Sequence, residues 1–343
     1  MIDRSTKLRW RRKLKRSKQH VEDFSTSTED QLEKHFFNRL SRLTKVRRFM
    51  AAWSLLFMLL IGLVLHQTRN LGKFYLSPTP AKGGIVSEGV LGSFGNANPI
   101  YASGNVDSSV ERLVFSGLFK LDSNNKLIPD LAKSYQLDER GTTYTVQLKE
   151  NLFWQDGKPL TAKDVAFTYH TIQIPDAKSP LITSWQGIKV TAVNERTVVF
   201  TLPSILSAFP YSMTNGIIPE HLLGKIPASQ LRSVAFNSTA PVGSGPFRWE
   251  ALEASTNNDV KEQRISFVPS PVYYGGAANI DRYIIRTFAD EQELQTAFEK
   301  REITAAAGLT RISDTIASDD SAQTYKIPLT SQVMVFFKTT SPI

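Results

Sequence analysis

The sequence predicts an α/β domain held behind a single membrane-spanning helix. Three observations carry this. Tyr144, Val146 and Leu148 alternate with Thr145, Gln147 and Lys149, the period-2 pattern of a half-buried strand. Asp156-Gly157 then supplies a tight turn, because glycine accepts positive φ and aspartate can bond its own backbone. Thr161 and Asp164 form a capping box, after which Val165, Ala166 and Tyr169 share one helix face. The membrane helix is the charge-free run Phe49–Leu65, FMAAWSLLFMLLIGLVL. It is near the lower limit of about 17 apolar residues for a bilayer core. Trp53 with flanking Arg47, Arg48 and His66 extends its effective reach into the interfaces.

The chain has 343 residues and a net charge of +9, and that charge is confined to its beginning. Residues 1–48 hold 15 Lys/Arg against 6 Asp/Glu, while the remainder is balanced. A cleaved leader would be preceded by a short charged stretch and followed by a small-x-small site. Here a 48-residue tail precedes the run and no such site directly follows Leu65, so an uncleaved anchor is favoured. Arg39, Arg42, Lys45, Arg47 and Arg48 lie before the span and only Arg69 and Lys73 close after it, which places the N-terminus in the cytoplasm. The run Lys7–Lys18, KLRWRRKLKRSK, could neutralise nucleic-acid phosphates or lie on anionic lipid headgroups. With one Trp and no nucleic-acid motif, anionic lipid or plain solvation is preferred and no nucleic-acid partner is expected. A short amphipathic helix is expected around Leu32–Leu43.

There is no cysteine, so disulfides, a thiol nucleophile and Cys-ligated metals are excluded. Only His170 and His221 follow the span's flank, at no metal-ligand spacing, and HExxH, GxSxG and phosphate-loop motifs are absent. No enzymatic activity, metal or cofactor is expected. Asn237-Ser-Thr239 is a glycosylation sequon of low specificity.

Pro129–Tyr135 (PDLAKSY), followed by Trp154-Gln-Asp156-Gly157-Lys-Pro159-Leu-Thr-Ala-Lys-Asp164-Val165, resembles the family 5 extracytoplasmic solute-binding proteins, the peptide receptors of ABC importers. Other segments extend the likeness. GGIVSEGVLGSFGNANPI resembles the family's first strand and its loop ending in Asn98-Pro99. A helix from about Asp107, capped by Asp107 or Ser108, leads into Phe115-Ser-Gly-Leu-Phe119 and a hairpin. Val242-Gly-Ser-Gly-Pro-Phe247 is similar to a family loop with Ser for Thr. Tyr273-Tyr274-Gly275 carries Tyr where Trp is frequent, with Ser270 near the usual Asn. Lys300-Arg301-Glu302-Ile303-Thr304 lacks the family's Gly and Asp, and MVFFKTTSPI has Lys338 in an Asn position. The resemblance implies a periplasmic-binding-protein-like type II two-lobed fold with the second lobe incomplete. It divides the chain into a basic tail (1–48), a transmembrane helix (49–66), a linker (67–82), lobe I (83–280) and the start of lobe II (281–343).

It further implies a receptor outside the cell that captures peptides or other small solutes and delivers them to ABC permease subunits. The ligand could be a peptide, a metal chelate, a sugar or another solute. A membrane sensor on the same fold, with the basic tail as its partner surface, is the alternative. Candidate ligand residues are Phe94, Asn96 and Asn98 at the cleft edge, Trp185 as an apolar plate, and Gly243, Ser244 and Gly245, whose backbone could approach a ligand closely. Against these stand a core role for Trp185 and a plain turn for 243–245. Trp154, Asp156 and Gly157 read as architecture.

Overall fold

The computed structural model describes residues 47–75, 82–257 and 260–326. The basic run, the Leu32–Leu43 stripe and the MVFFKTTSPI strand lie outside the described residues. The chain separates into two units, 1–79 and 80–343.

In the first unit, α1 (Arg47–Tyr75) is one continuous helix of 29 residues, about 43 Å long at 1.5 Å per residue. Within it Phe49–Thr68 is long and apolar enough to cross a membrane, and none of it is buried against protein. The linker expected from residue 67 is therefore helical as far as Tyr75. Gly72 is the one helix-weakening residue between His66 and Tyr75, and the first proline is Pro78.

The second unit runs β1 (Ile85–Leu91), α2 (Asn105–Val114), β2 (Phe119–Leu121), β3 (Leu127–Pro129), β4 (Ala132–Leu137), β5 (Thr143–Leu148), α3 (Ala162–Gln173), β6 (Lys189–Asn194), β7 (Thr197–Thr201), β8 (Phe247–Asn257), β9 (Val260–Pro269), β10 (Arg282–Phe288), α4 (Glu291–Glu299) and β11 (Ala305–Ala307), with single-turn helices between. One sheet has the order β4-β5-β7-β6 and a second the order β11-β1-β10-β9-β8, while β2 and β3 form a hairpin. β5 buries its expected face, Tyr144, Val146 and Leu148. The capping box of α3 is formed: the Thr161 hydroxyl accepts from Lys163 N–H, and Asp164 accepts from Thr161 N–H at 2.8 Å.

α2 starts two residues earlier than the sequence pattern suggests, and its N-cap Gly104 makes no side-chain cap. Neither expected cap, Asp107 or Ser108, serves as one; Asp107 turns its carboxylate onto the preceding loop. The segment from Asp281, expected to open a second lobe, begins with a strand that pairs with β1. β10 lies parallel to β1 over seven residues, Ile85↔Arg282 to Leu91↔Phe288, and β11 lies parallel on the other side of β1. Strands that run parallel need a crossover, and α4 carries the chain from β10 past β1 to β11. Residues through Ala307 thus complete the sheet that β1 begins. Gly89 makes room for this packing: a Cβ on it would sit 2.3 Å from Leu294 Cδ1 of α4 and 2.7 Å from Ile303 Cδ1, and those side chains would have to shift.

One contiguous core joins both sheets, from Val90 and Ile285 through Phe267 to Val146 and Phe200. A smaller cluster of Phe288, Leu294, Ala297 and Ile303 lies under α4.

Candidate functional site

The two loops nominated from sequence bracket the ends of α2. At its N-terminal end, Asp107 Oδ1 accepts from Gly95 N–H (2.8 Å) and Asn96 N–H (3.1 Å). Phe94 N–H donates to Gln263 Oε1 of β9 (2.7 Å), and Gln263 Nε2 donates back to Phe94 carbonyl oxygen (3.2 Å). The Phe94 ring is buried 5.5 Å from Trp249. Asn98 is fully enclosed: its Nδ2 donates to Asn237 Oδ1 (3.0 Å), and its Oδ1 accepts from Ile100 N–H (3.2 Å). That amide is engaged within the domain rather than offered to a ligand. Asn96 is half-buried and Gly95 exposed, so the accessible part of this edge is the 95–96 backbone.

At the other end of α2 lies Gly243-Ser244-Gly245. Gly245 N–H donates to Val114 carbonyl oxygen at 2.8 Å. A Cβ on Gly243 would lie 1.8 Å from Val114 carbonyl oxygen, and one on Gly245 2.6 Å from Leu113 carbonyl oxygen. These glycines are therefore demanded by the approach of the loop to a helix terminus. Ser244 is buried, and its hydroxyl has no hydrogen-bond partner among the described residues. The two loops are separated by the ten residues of α2, about 15 Å, so they do not converge on a single point.

Gln155 ties the second loop to its surroundings, and sequence reasoning passed over it. Its backbone N–H donates to Gly243 carbonyl oxygen (2.9 Å), and its side-chain oxygen accepts from Gly243 N–H (3.0 Å). Its Nε2 faces the carbonyl oxygens of Phe247 (2.8 Å), Val114 (3.3 Å) and Gly245 (3.3 Å). Its position inside the Trp154–Val165 string was the available signal. Gly157 beside it has φ +84°, as the turn reading requires, and Trp154 is fully buried.

Glu111, on the same helix, was also missed. Its carboxylate accepts from Gly216 N–H at 2.9 Å. Burial pushes this carboxyl up to about 7, partly offset by that N–H and by Arg112. The buried phenol of Tyr169 feels the Glu111 charge and is itself raised, chiefly by burial.

Asp130, from the PDLA string, is buried and accepts from the Tyr274 hydroxyl, with Lys120 Nζ 3.3 Å away and Lys149 Nζ 4.0 Å above the Tyr274 ring. Tyrosine in place of the frequent tryptophan thus gains a carboxylate partner, and with burial foremost its phenol is raised. Burial lowers Lys149, against the pull of Asp130.

A family model for bacterial extracellular solute-binding proteins, family 5 (middle region), matches residues 126–343. The chain belongs to this family. A putative ABC transporter peptide-binding protein of Brucella ovis is 32% identical over 242 residues, covering 68% of this chain and 44% of that protein. The oligopeptide-binding protein AppA of Bacillus subtilis, solved in complex with a nonapeptide, superposes with a TM-score of 0.61 at 25% identity, covering 66% of this chain and 44% of that one. NikZ from Campylobacter jejuni, solved with Ni(L-His), superposes at 0.58 with 28% identity, covering 66% and 43%. The chain has the type II periplasmic-binding-protein-like α/β fold of these receptors and spans less than half the length of each.

In this family 5 domain Trp185 and the Asn237 sequon are both enclosed. Trp185 is 1% exposed, so it is a core residue and no cleft wall. It stacks on Tyr169 of α3 at 3.8 Å and contacts Phe209 edge-on at 5.5 Å. The sequon is likewise closed: Asn237 is buried, and its Nδ2 donates to Leu231 carbonyl oxygen at 2.9 Å. A surface hollow of about 560 Å³ lies over Ser87, Glu253, Glu262, Arg264, Arg286 and Glu302, and it contains none of the nominated residues. Among the described residues no group of three His, Cys, Asp or Glu side chains could hold a metal ion.

Proposed function

We propose that the chain is the membrane-anchored substrate-binding component of an ABC importer and captures peptides for uptake without altering them. The observation that carries the reading is family 5 membership together with superposition on a receptor solved with a nonapeptide. α1 holds the binding domain at the outer face, with the basic tail in the cytoplasm, and the loaded domain then docks on a permease pair. Anchoring suits such a role because tethering raises the local concentration of receptor beside its permease. The 95–96 backbone and the 243–245 loop are the parts of the domain assigned to the ligand cleft.

Native mass spectrometry of the full chain purified in mild detergent tests ligand class. Co-purified peptides that exchange with added peptide support the reading; a metal chelate or sugar found in their place refutes the peptide assignment. Orientation is tested separately, because a chain without cysteine accepts single reporters cleanly. A thiol placed by S255C should react with a membrane-impermeant maleimide on intact cells, and one placed by S27C only after lysis. The opposite pattern would invert the topology.

A further inference from the structure

Most residues of the 243–247 loop are fixed by what touches them rather than by their own side chains. Gly243 and Gly245 have none, and the Ser244 hydroxyl has no hydrogen-bond partner among the described residues. The loop's shape therefore depends on groups outside it. The α2 terminus provides one contact, Gly245 N–H to Val114 carbonyl oxygen. Ser270 N–H donates to Pro246 carbonyl oxygen at 2.9 Å and the Ser116 hydroxyl to Ser244 carbonyl oxygen at 3.5 Å. Gln155 provides the largest share, meeting Gly243 on both its N–H and its carbonyl and placing one amide nitrogen among three carbonyl oxygens. Those oxygens belong to α2 (Val114), to the loop (Gly245) and to the first residue of β8 (Phe247). One side chain thus links helix, loop and strand.

We propose that Gln155 is the positioning residue of the 243–247 loop, setting its shape and through it the affinity for the captured solute. The affinity part rests on the loop lying at the ligand cleft, as assigned above. Only a side chain that both donates and accepts can meet this surround. The carbonyls of Gly245 and Phe247 call for a donor, that of Val114 already accepts from Gly245 N–H, and Gly243 N–H calls for an acceptor. Glutamate in this place would keep the acceptor and set a negative oxygen against three carbonyl oxygens. Once protonated it would regain one donor, and Phe247 carbonyl oxygen is the nearest recipient.

The test uses the full chain in detergent, with Q155E, Q155A and the shape-matched Q155M as variants. Amide hydrogen exchange over 240–248 is followed across pH after correction for intrinsic rates, beside the affinity for a mixture of synthetic nonapeptides. Q155E should exchange about tenfold faster than wild type in this segment near neutrality, as expected for loss of one or two hydrogen bonds. It should return toward wild type in acid. Q155A and Q155M should be faster at every pH with no such return, a difference that a merely packing role would not produce. Thermal unfolding identifies any variant that has lost the fold, and Q155M then serves in place of Q155A. Unchanged exchange in Q155E, or acceleration without acid recovery, overturns the positioning role. Faster exchange with wild-type peptide affinity overturns the link to ligand and removes the loop from the cleft. Absence of peptide binding by wild type refutes the peptide reading alone, since exchange still decides the role of Gln155.

Discussion

Raising the pH should weaken this domain through Glu111. The carboxyl has an ordinary value of 4.5 and is pushed up to about 7 by burial in the folded chain. Below the lower value both states hold the proton, and its contribution to stability is complete. Between the two values the folded state keeps a proton that the unfolded state releases, so stability falls as pH rises, and the loss is complete above about 7. A difference of about 2.5 units at 1.36 kcal/mol each gives an upper bound of about 3 kcal/mol. Partial exposure of the side chain reduces the expected loss to about 2 kcal/mol. Asp138, Glu291 and Asp319 work in the opposite sense. Hydrogen bonds lower each of them, so the stability they supply is lost only as the medium becomes strongly acidic. The interval from about pH 5 to 8 therefore isolates Glu111 from these three carboxylates. The assay is urea unfolding of the full chain in detergent, followed by tryptophan fluorescence at both ends of that interval, with E111Q in parallel. The neutral amide cannot ionise, so the slope assigned to Glu111 should vanish in E111Q. An E111Q protein with the same pH dependence as wild type would refute the reasoning.

Three further outcomes follow from the packing. W185A should lower stability by about 3–5 kcal/mol, while W185F leaves peptide affinity unchanged; a stable W185F protein without peptide binding would return Trp185 to the cleft. G243A should cost about 1–3 kcal/mol or prevent folding, because the atom 1.8 Å from its Cβ is the Val114 carbonyl oxygen; a wild-type urea midpoint would show that the loop does not press on α2. D130N removes the charge shared by Lys120 and the Tyr274 hydroxyl and should lower stability by about 2 kcal/mol, with K120M costing less because its ammonium is half exposed. Equal costs for the two variants would deny Asp130 its second partner.

The elements most legible in the sequence are those whose cause is local. The β5 alternation, the Asp156-Gly157 turn and the Thr161 capping box each depend on residues within a few positions, and each is where the pattern puts it. The site was legible only as a neighbourhood. Glycine at 243 and 245 signals a close approach, but sequence does not say to what, and the neighbour is α2. A lone tryptophan in a polar stretch has no periodicity to place it, and Tyr169 and Phe209, which enclose Trp185, are 16 and 24 residues away. The pairing of β10 with β1 was hidden for the same reason. Nothing in IIRTF announces that its partner is a strand nearly 200 residues earlier. Long-range register is decided by the fold as a whole, not by the strand's own composition.

Arg301 shows how a departure from the family pattern can be absorbed. The family's glycine is missing from Lys300–Thr304, and Arg301 there takes φ +61°, a conformation that costs a side-chain-bearing residue about 1–2 kcal/mol. The surrounding groups hold it in place. Its N–H donates to Phe298 carbonyl oxygen at the end of α4, and its guanidinium pairs with Asp319 at 2.6 Å and Ser321 at 2.9 Å. An exposed pair of this kind contributes at most about 1 kcal/mol, and arginine avoids the extra backbone entropy that glycine loses on folding, about 0.5–1 kcal/mol. The two gains nearly offset the strain. The turn between α4 and β11 therefore holds a left-handed residue without a glycine, and β11 still reaches its place beside β1.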